Sequence, residues 1–138
     1  MGTLAIDRRR LRSITPIKSE YDLHKWTVQL LKKLAFPYVK WWHCPSGEKR
    51  DIGTAVKLTA MGTVPGVPDL QIFIHSVPRF LELKYGKNDL TPEQRAFFSW
   101  AQDNRIPIAV CRTQDEVAAQ LEIWGAIRPT GWQFGGHE

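Results

Sequence analysis

Gly66-Val67-Pro68-Asp69-Leu70-Gln71-Ile72-Phe73-Ile74, followed by Arg79-Phe80-Leu81-Glu82-Leu83-Lys84, is the stretch whose reading decides the fold. Leu70, Ile72 and Ile74 alternate with Asp69, Gln71 and Phe73, while Leu81 and Leu83 alternate with Phe80, Glu82 and Lys84. A period of two places each set on one face of a β-strand. Pairing the two segments as an antiparallel hairpin across His75-Ser76-Val77-Pro78 sets Ile74 opposite Arg79 and Asp69 opposite Lys84. That register gathers Leu70, Ile72, Ile74, Leu81 and Leu83 on one apolar face, and Asp69, Glu82 and Lys84 on the other. A slip of one residue would mix the two sets and expose half of the apolar side chains, so burial selects the register.

Two carboxylates and an ammonium on one small patch point to metal-assisted phosphodiester chemistry. Carboxylates at close range repel, and one holds a proton unless a cation sits between them. Their oxygens suit a hard divalent ion such as Mg²⁺ or Mn²⁺, which offsets charge building on a phosphoryl oxygen. Lys84, on the face of Glu82, is placed to hold the attacking water or to stabilise the pentacovalent phosphate. A Glu-x-Lys triplet alone fits a surface salt bridge better than a site. Asp69, brought in by the register, reverses that preference.

Working outward, Ser19 caps a helix on which Leu23, Trp26, Leu30 and Leu34 recur at helical spacing, with Pro37 ending it. Glu20 lies in its first turn, on the stripe of Leu23, Thr27 and Leu31, where the helix dipole also favours an acid. Tyr38 to Cys44 reads as an aromatic strand with Trp41 and Trp42 on opposite faces. Asp51 to Met61 is weakly helical and stops at Gly62. Thr91-Pro92-Glu93-Gln94 has the cap, the proline at N1 and the glutamine at N3 of a capping box. Gln94 therefore has two readings, back-bonding to the Thr91 amide or reaching the metal-bound water or substrate phosphate. Pro107 to Arg112 is a short buried strand, and Thr113 opens a helix that runs to about Trp124 and stops at Gly125. A hairpin followed by a helical crossover makes this last strand parallel to the Glu-x-Lys strand.

With 138 residues, 43% of them hydrophobic, and six tryptophans, the chain is one globular domain rather than a disordered segment. No apolar run reaches the length of a membrane span and no signal-peptide pattern opens the sequence, so a cytoplasmic location is expected. Cys44 and Cys111 have no CxxC spacing and imply neither a zinc site nor a disulfide framework. Residues 1–18 hold Arg8, Arg9, Arg10, Arg12 and Lys18 against Asp7 alone, whereas the rest carries 14 basic and 13 acidic side chains. The net charge of +5 is thus mostly an N-terminal arm, which either lies along phosphates or is a solvated terminus. Lys49, Arg50, Lys57 and Lys87 are further candidate phosphate contacts. Residues 128–138 are Gly-rich and read as a loose tail.

The segments Gly66 to Leu70, Leu81-Glu82-Leu83-Lys84 and Gly86-Lys87-Asn88-Asp89-Leu90-Thr91-Pro92-Glu93-Gln94 together resemble the virus-type replication-repair nuclease (VRR-NUC) domain of the PD-(D/E)xK superfamily. The resemblance spans about residues 19–112 and implies an α/β, restriction-endonuclease-like core, a mixed β-sheet flanked by helices, within residues 19–127. It matches Glu20 to the acid on the family's first helix and Gln94 to the glutamine after the Glu-x-Lys strand. The catalytic set it implies is Asp69, Glu82, Lys84, Glu20 and Gln94. The implied ligands of Mg²⁺ or Mn²⁺ are Asp69, Glu82, Glu20 and the backbone carbonyl of Leu83. The implied activity is cleavage of DNA at branched structures such as four-way junctions or flaps, in a bacterial or phage-infected cell. A homodimer is expected because symmetric cutting needs two sites, with Trp41, Trp42, Trp100, Trp124 and Trp132 as candidates for an apolar interface. The competing function is a DNA-binding or assembly module that keeps the fold without turnover.

Overall fold

The computed structural model describes residues 16–45 and 51–131. Helix α1 spans Glu20–Leu34, and its N-terminus is closed by the Ser19 hydroxyl accepting from the Asp22 amide at 3.1 Å. The apolar stripe does what its spacing demands: Leu23, Trp26, Leu30, Leu31 and Leu34 are all buried. The chain leaves the helix at Ala35, two residues before Pro37, as the steric demand of proline on its predecessors favours. Strand β1 (Val39–His43) follows, then α2 (Ile52–Ala60), β2 (Leu70–Ile74), β3 (Val77–Leu83), α3 (Pro92–Asp103), β4 (Ile108–Cys111) and α4 (Gln114–Ile123).

The four strands form one mixed sheet in chain order, β1-β2-β3-β4. The first three are antiparallel and β4 runs parallel to β3, the arrangement expected from the α3 crossover. Leu70, Ile72, Ile74, Leu81 and Leu83 face α1 and α4 and close one core with Val117 and Leu121. Fully burying each such side chain contributes about 1.5–3 kcal/mol. The opposite face meets α3, where Phe80 packs edge-on against Phe97 at 5.0 Å and Ala101 is fully buried. Leucine and acid therefore alternate along a strand covered on both sides. Among the described residues, no helix is long and apolar enough to cross a membrane.

The register differs from the sequence expectation by two residues. Ile74 pairs with Val77 rather than Arg79, and Leu70 pairs with Leu81, which carries Asp69 level with Glu82 instead of Lys84. Only His75 and Ser76 form the turn, both with positive φ (49° and 65°), so Val77 and Pro78 belong to β3. Proline reads as a strand breaker, but Pro78 pairs with Phe73, one step from the turn-closing pair, where the N–H points away from β2. Pairing with β4 begins only at Phe80, so the missing donor costs no ladder bond. A shift of two keeps each side chain on its face, which is why the apolar and acidic sets survive.

Two further expectations change. Strand β4 is half-buried except at Cys111, because it is the edge of the sheet and pairs only with β3. The chain beyond α4 is not a loose tail as far as Gly131. Ile127 bridges Ala35, Arg128 N–H donates to the Leu34 carbonyl at 2.9 Å, and the buried Thr130 hydroxyl donates to Glu122 at 2.8 Å. The first two of these tie down the C-terminus of α1, whose last carbonyls lack intrahelical donors. The remainder of that segment, 132–138, lies outside the described residues, as does the arm through residue 15.

Candidate functional site

The site assembles where β1, β2 and β3 leave the ladder at one level. Asp69, immediately before β2, is held from both sides. Its carbonyl accepts from Cys44 N–H at 2.8 Å and lies 2.9 Å from His43 Nδ1, both next to or within β1. Its carboxylate Oδ2 accepts from Leu83 N–H of β3 at 2.7 Å, and its own amide donates to the Glu82 carboxylate. Lys84 N–H bonds the Cys111 carbonyl of β4, so alternation turns the Leu83 N–H and C=O toward the β2 side, where Asp69 sits.

Glu82 is only 3% exposed and Lys84 6%. The Lys84 ammonium lies 3.9 Å from Glu82 Oε1. Gln94 meets the capping reading, and the other end of its amide makes a bond to Glu82 that the sequence did not indicate. Its Oε1 accepts from Thr91 N–H at 2.8 Å, completing the capping box, while Nε2 donates to Glu82 Oε1 at 3.0 Å. Gly66 makes this approach possible. At φ +86° it packs so closely on the first turn of α3 that a Cβ would overlap the Glu93 carbonyl, which seats Gln94 beside the Asp69 loop.

Glu20 enters from α1. One carboxylate oxygen each from Glu20, Asp69 and Glu82 lies within 4.8 Å of the others. The electrostatics show the strain of that convergence. Burial first, then the neighbouring Asp69 charge, pushes the Glu82 carboxyl up to about 8, against the lowering pull of Lys84. Glu20 is also raised, by burial, with Lys84 opposing and Asp69 adding. Three acids against one lysine leave a local deficit of positive charge in a poorly solvated place. An all-oxygen donor set with this charge fits a hard divalent cation.

Around the cluster lies a cleft of about 600 Å³, also lined by Tyr21, His24, His43, Cys44 and Thr91. The sequence reading missed these. His24 follows Glu20 by one helical turn and was within reach of the same stripe argument; its ring meets His43 edge-on, centroids 4.6 Å apart. His43 and Cys44 carried no local signal, since only the pairing of β1 with β2 brings them to Asp69. The Cys44 thiol is raised chiefly by burial and stays protonated near neutrality.

The basic candidates divide. Lys18 is exposed just before α1, its amide donating to Asp22 Oδ2 at 3.1 Å. Lys57 is exposed on α2, and Lys87 is exposed in the turn after β3, where Arg112 bonds the Gly86 carbonyl at 3.1 Å. Arg8, Arg9, Arg10, Arg12, Lys49 and Arg50 lie outside the described residues. Of the tryptophans considered for an interface, Trp41 and Trp124 pack against the core, Trp42 and Trp100 are 41% and 49% exposed, and Trp132 lies outside the described residues. No protein-family model, curated protein or solved structure matches this chain, so the reading of the site rests on its own residues.

Proposed function

We propose that this chain is a Mg²⁺- or Mn²⁺-dependent DNA endonuclease acting on branched DNA, of the virus-type replication-repair kind that its motifs resemble. The observation that carries the reading is the convergence of Glu20, Asp69 and Glu82 within 4.8 Å of one another beside Lys84. Asp69, Glu82 and Glu20 would hold the ion, with the Leu83 carbonyl facing the same side. A divalent ion there supplies Lewis-acid polarisation of a phosphoryl oxygen and offsets the charge that develops during displacement.

The chain's own residues do the rest. Lys84 directs an ammonium into the cleft; with Glu82 at 3.9 Å on one side, its other N–H groups are available to orient a water or a non-bridging phosphate oxygen. Gln94 and the Asp69 amide hold the Glu82 carboxylate in one orientation, so the acids need little reorganisation on binding. The basic arm of Arg8 to Lys18 would add affinity along the phosphates without choosing sequence. Paired cuts on a four-way junction would come from a homodimer with one site per chain.

Labelled four-way, flap, duplex and single-stranded DNA, each incubated with and without Mg²⁺, tests the reading. Cleavage should need the metal, favour the branched forms, and be lost in Asp69→Asn. Undiminished Mg²⁺-dependent cleavage by Asp69→Asn would refute the assignment. DNA binding without cleavage by the wild type under any of these conditions would favour the non-catalytic module.

A further inference from the structure

The far side of the β1 strand end carries a second cavity. An apolar slot of about 350 Å³ is lined by Trp42, Pro45, Leu58 and Val64, while His43, Cys44 and Val67 line both this slot and the acidic cleft. The two cavities are thus neighbours across one wall. Trp42 is held on two counts. Its ring stacks on Phe73, centroids 5.4 Å apart and planes 18° from parallel, and its indole N–H donates to the Cys44 sulfur. It nevertheless remains 41% exposed. A fixed indole with open surface is a preset stacking platform, because its ordering cost is already met within the fold. Among the described residues no Asp, Glu, Lys or Arg lines the slot, and α2 carries Lys57 within it and Asp51 at its N-cap.

We propose that this slot is a nucleobase subsite, which takes an unpaired DNA base next to the phosphate held in the acidic cleft and stacks it on Trp42. The proposal rests on the nuclease reading for the direction of the strand, and one feature favours a base over an apolar protein segment. The slot shares His43, Cys44 and Val67 with the acidic cleft, so a base seated in it stands next to a phosphate at the acids. Aromatic stacking of this kind is tolerant of sequence, because every base offers a π-face. The subsite would therefore recognise an unpaired strand at a branch point rather than a particular base.

The test separates this proposal from the nuclease reading by measuring binding in EDTA, where no metal-dependent cutting occurs. Fluorescence anisotropy compares a labelled oligothymidine with a strand of equal length built from abasic residues. For the wild type, removing the bases should weaken binding about 5- to 100-fold. Trp42→Ala should lower affinity for the base-bearing strand by a similar factor and leave the abasic strand nearly unaffected, whereas Trp42→Tyr should restore most of the difference. Val64→Gln, at a residue 54% exposed, obstructs the slot without adding charge or touching the core and should copy Trp42→Ala. Wild-type binding that ignores base removal, or equal losses on both strands in Trp42→Ala, would overturn the subsite. A mass by light scattering that doubles with wild-type concentration but not in Trp42→Ala, with base-blind binding, would assign the slot to a second copy of the chain and also overturn it. Base-dependent binding without Mg²⁺-dependent cleavage would uphold the subsite while removing the nuclease reading; cleavage with base-blind binding would do the reverse.

Discussion

Glu82→Gln offers the most direct physical probe of the acidic cluster, because the amide keeps the shape of the side chain and removes only its charge. The Glu82 carboxyl is pushed from 4.5 up to about 8 by burial and by Asp69. A carboxyl raised in the folded state contributes stability that is fully present below its unfolded value and lost as pH rises through the folded one. The loss thus develops above about pH 4.5 and is nearly complete above about pH 8. Linkage over the interval from pH 5 to pH 8 gives a loss of roughly 3–4 kcal/mol from this group. For a chain of this size that corresponds to about 10 °C in melting temperature. Thermal melts of wild type and Glu82→Gln, in EDTA across this range, should therefore diverge, the variant holding its stability as the wild type falls. Glu20, raised by burial as well, adds slope in the same direction to both proteins. The side-chain oxygen that Glu82→Gln retains can still accept from Gln94 Nε2 and the Asp69 amide, so the comparison isolates the charge. Saturating Mg²⁺ should restore the wild type at pH 8 and change the variant little. Parallel pH curves for the two proteins in EDTA would show that Glu82 is not the strained acid described here.

Lys84→Ala should lower the single-turnover cleavage rate by roughly 10²–10⁴ while the fold persists, as judged by circular dichroism; a loss under about tenfold would remove Lys84 from the chemistry. Gly66→Ala forces a Cβ into the Glu93 carbonyl at φ +86° and should cost about 1–3 kcal/mol, with weaker Mg²⁺-induced stabilisation because Gln94 is displaced from Glu82; an unchanged melt would contradict the close packing. Replacing His75-Ser76 with Asn-Gly should raise stability by about 1–2 kcal/mol, since the two positive-φ residues are relieved, and a destabilised variant would mean the Tyr38–His75 stack at 4.5 Å outweighs the strain. Deleting residues 2–14 should weaken DNA binding and flatten its salt dependence by about 0.9 for each phosphate the arm neutralises, measured by titration at several salt concentrations; an unaltered slope would leave the arm a solvated terminus.

Much of this architecture was legible in the chain itself, and the reason is local. Period-two alternation from Leu70 to Ile74 and from Phe80 to Lys84 assigns each side chain to a face whatever the partner strand. Ser19, Thr91 and Thr113 name helix starts because their hydroxyls bond amides three residues on. The inward stripe of α1 placed Glu20 beside the core, and the alternation placed Asp69, Glu82 and Lys84 together. Those features depend on neighbours in sequence, and the fold respects them.

What tertiary structure decided is the level at which these elements meet. A hairpin displaced by two residues has the same faces, so alternation is blind to whether Asp69 stands beside Glu82 or Lys84. The turn length settles that, and His75-Ser76 lacks the glycine or asparagine that usually advertises a two-residue turn. The bond from Gln94 to Glu82 depends on Gly66 letting a loop close on the distant first turn of α3. His43, Cys44 and Trp42 reach the cleft and the slot only because β1 pairs with β2 across an intervening helix. Residues 127–130 are ordered by carbonyls and carboxylates of α1 and α4 that no local pattern signals. Local chemistry writes its preferences into the sequence near each residue, whereas long-range register is set by the summed packing of elements that the sequence lists far apart.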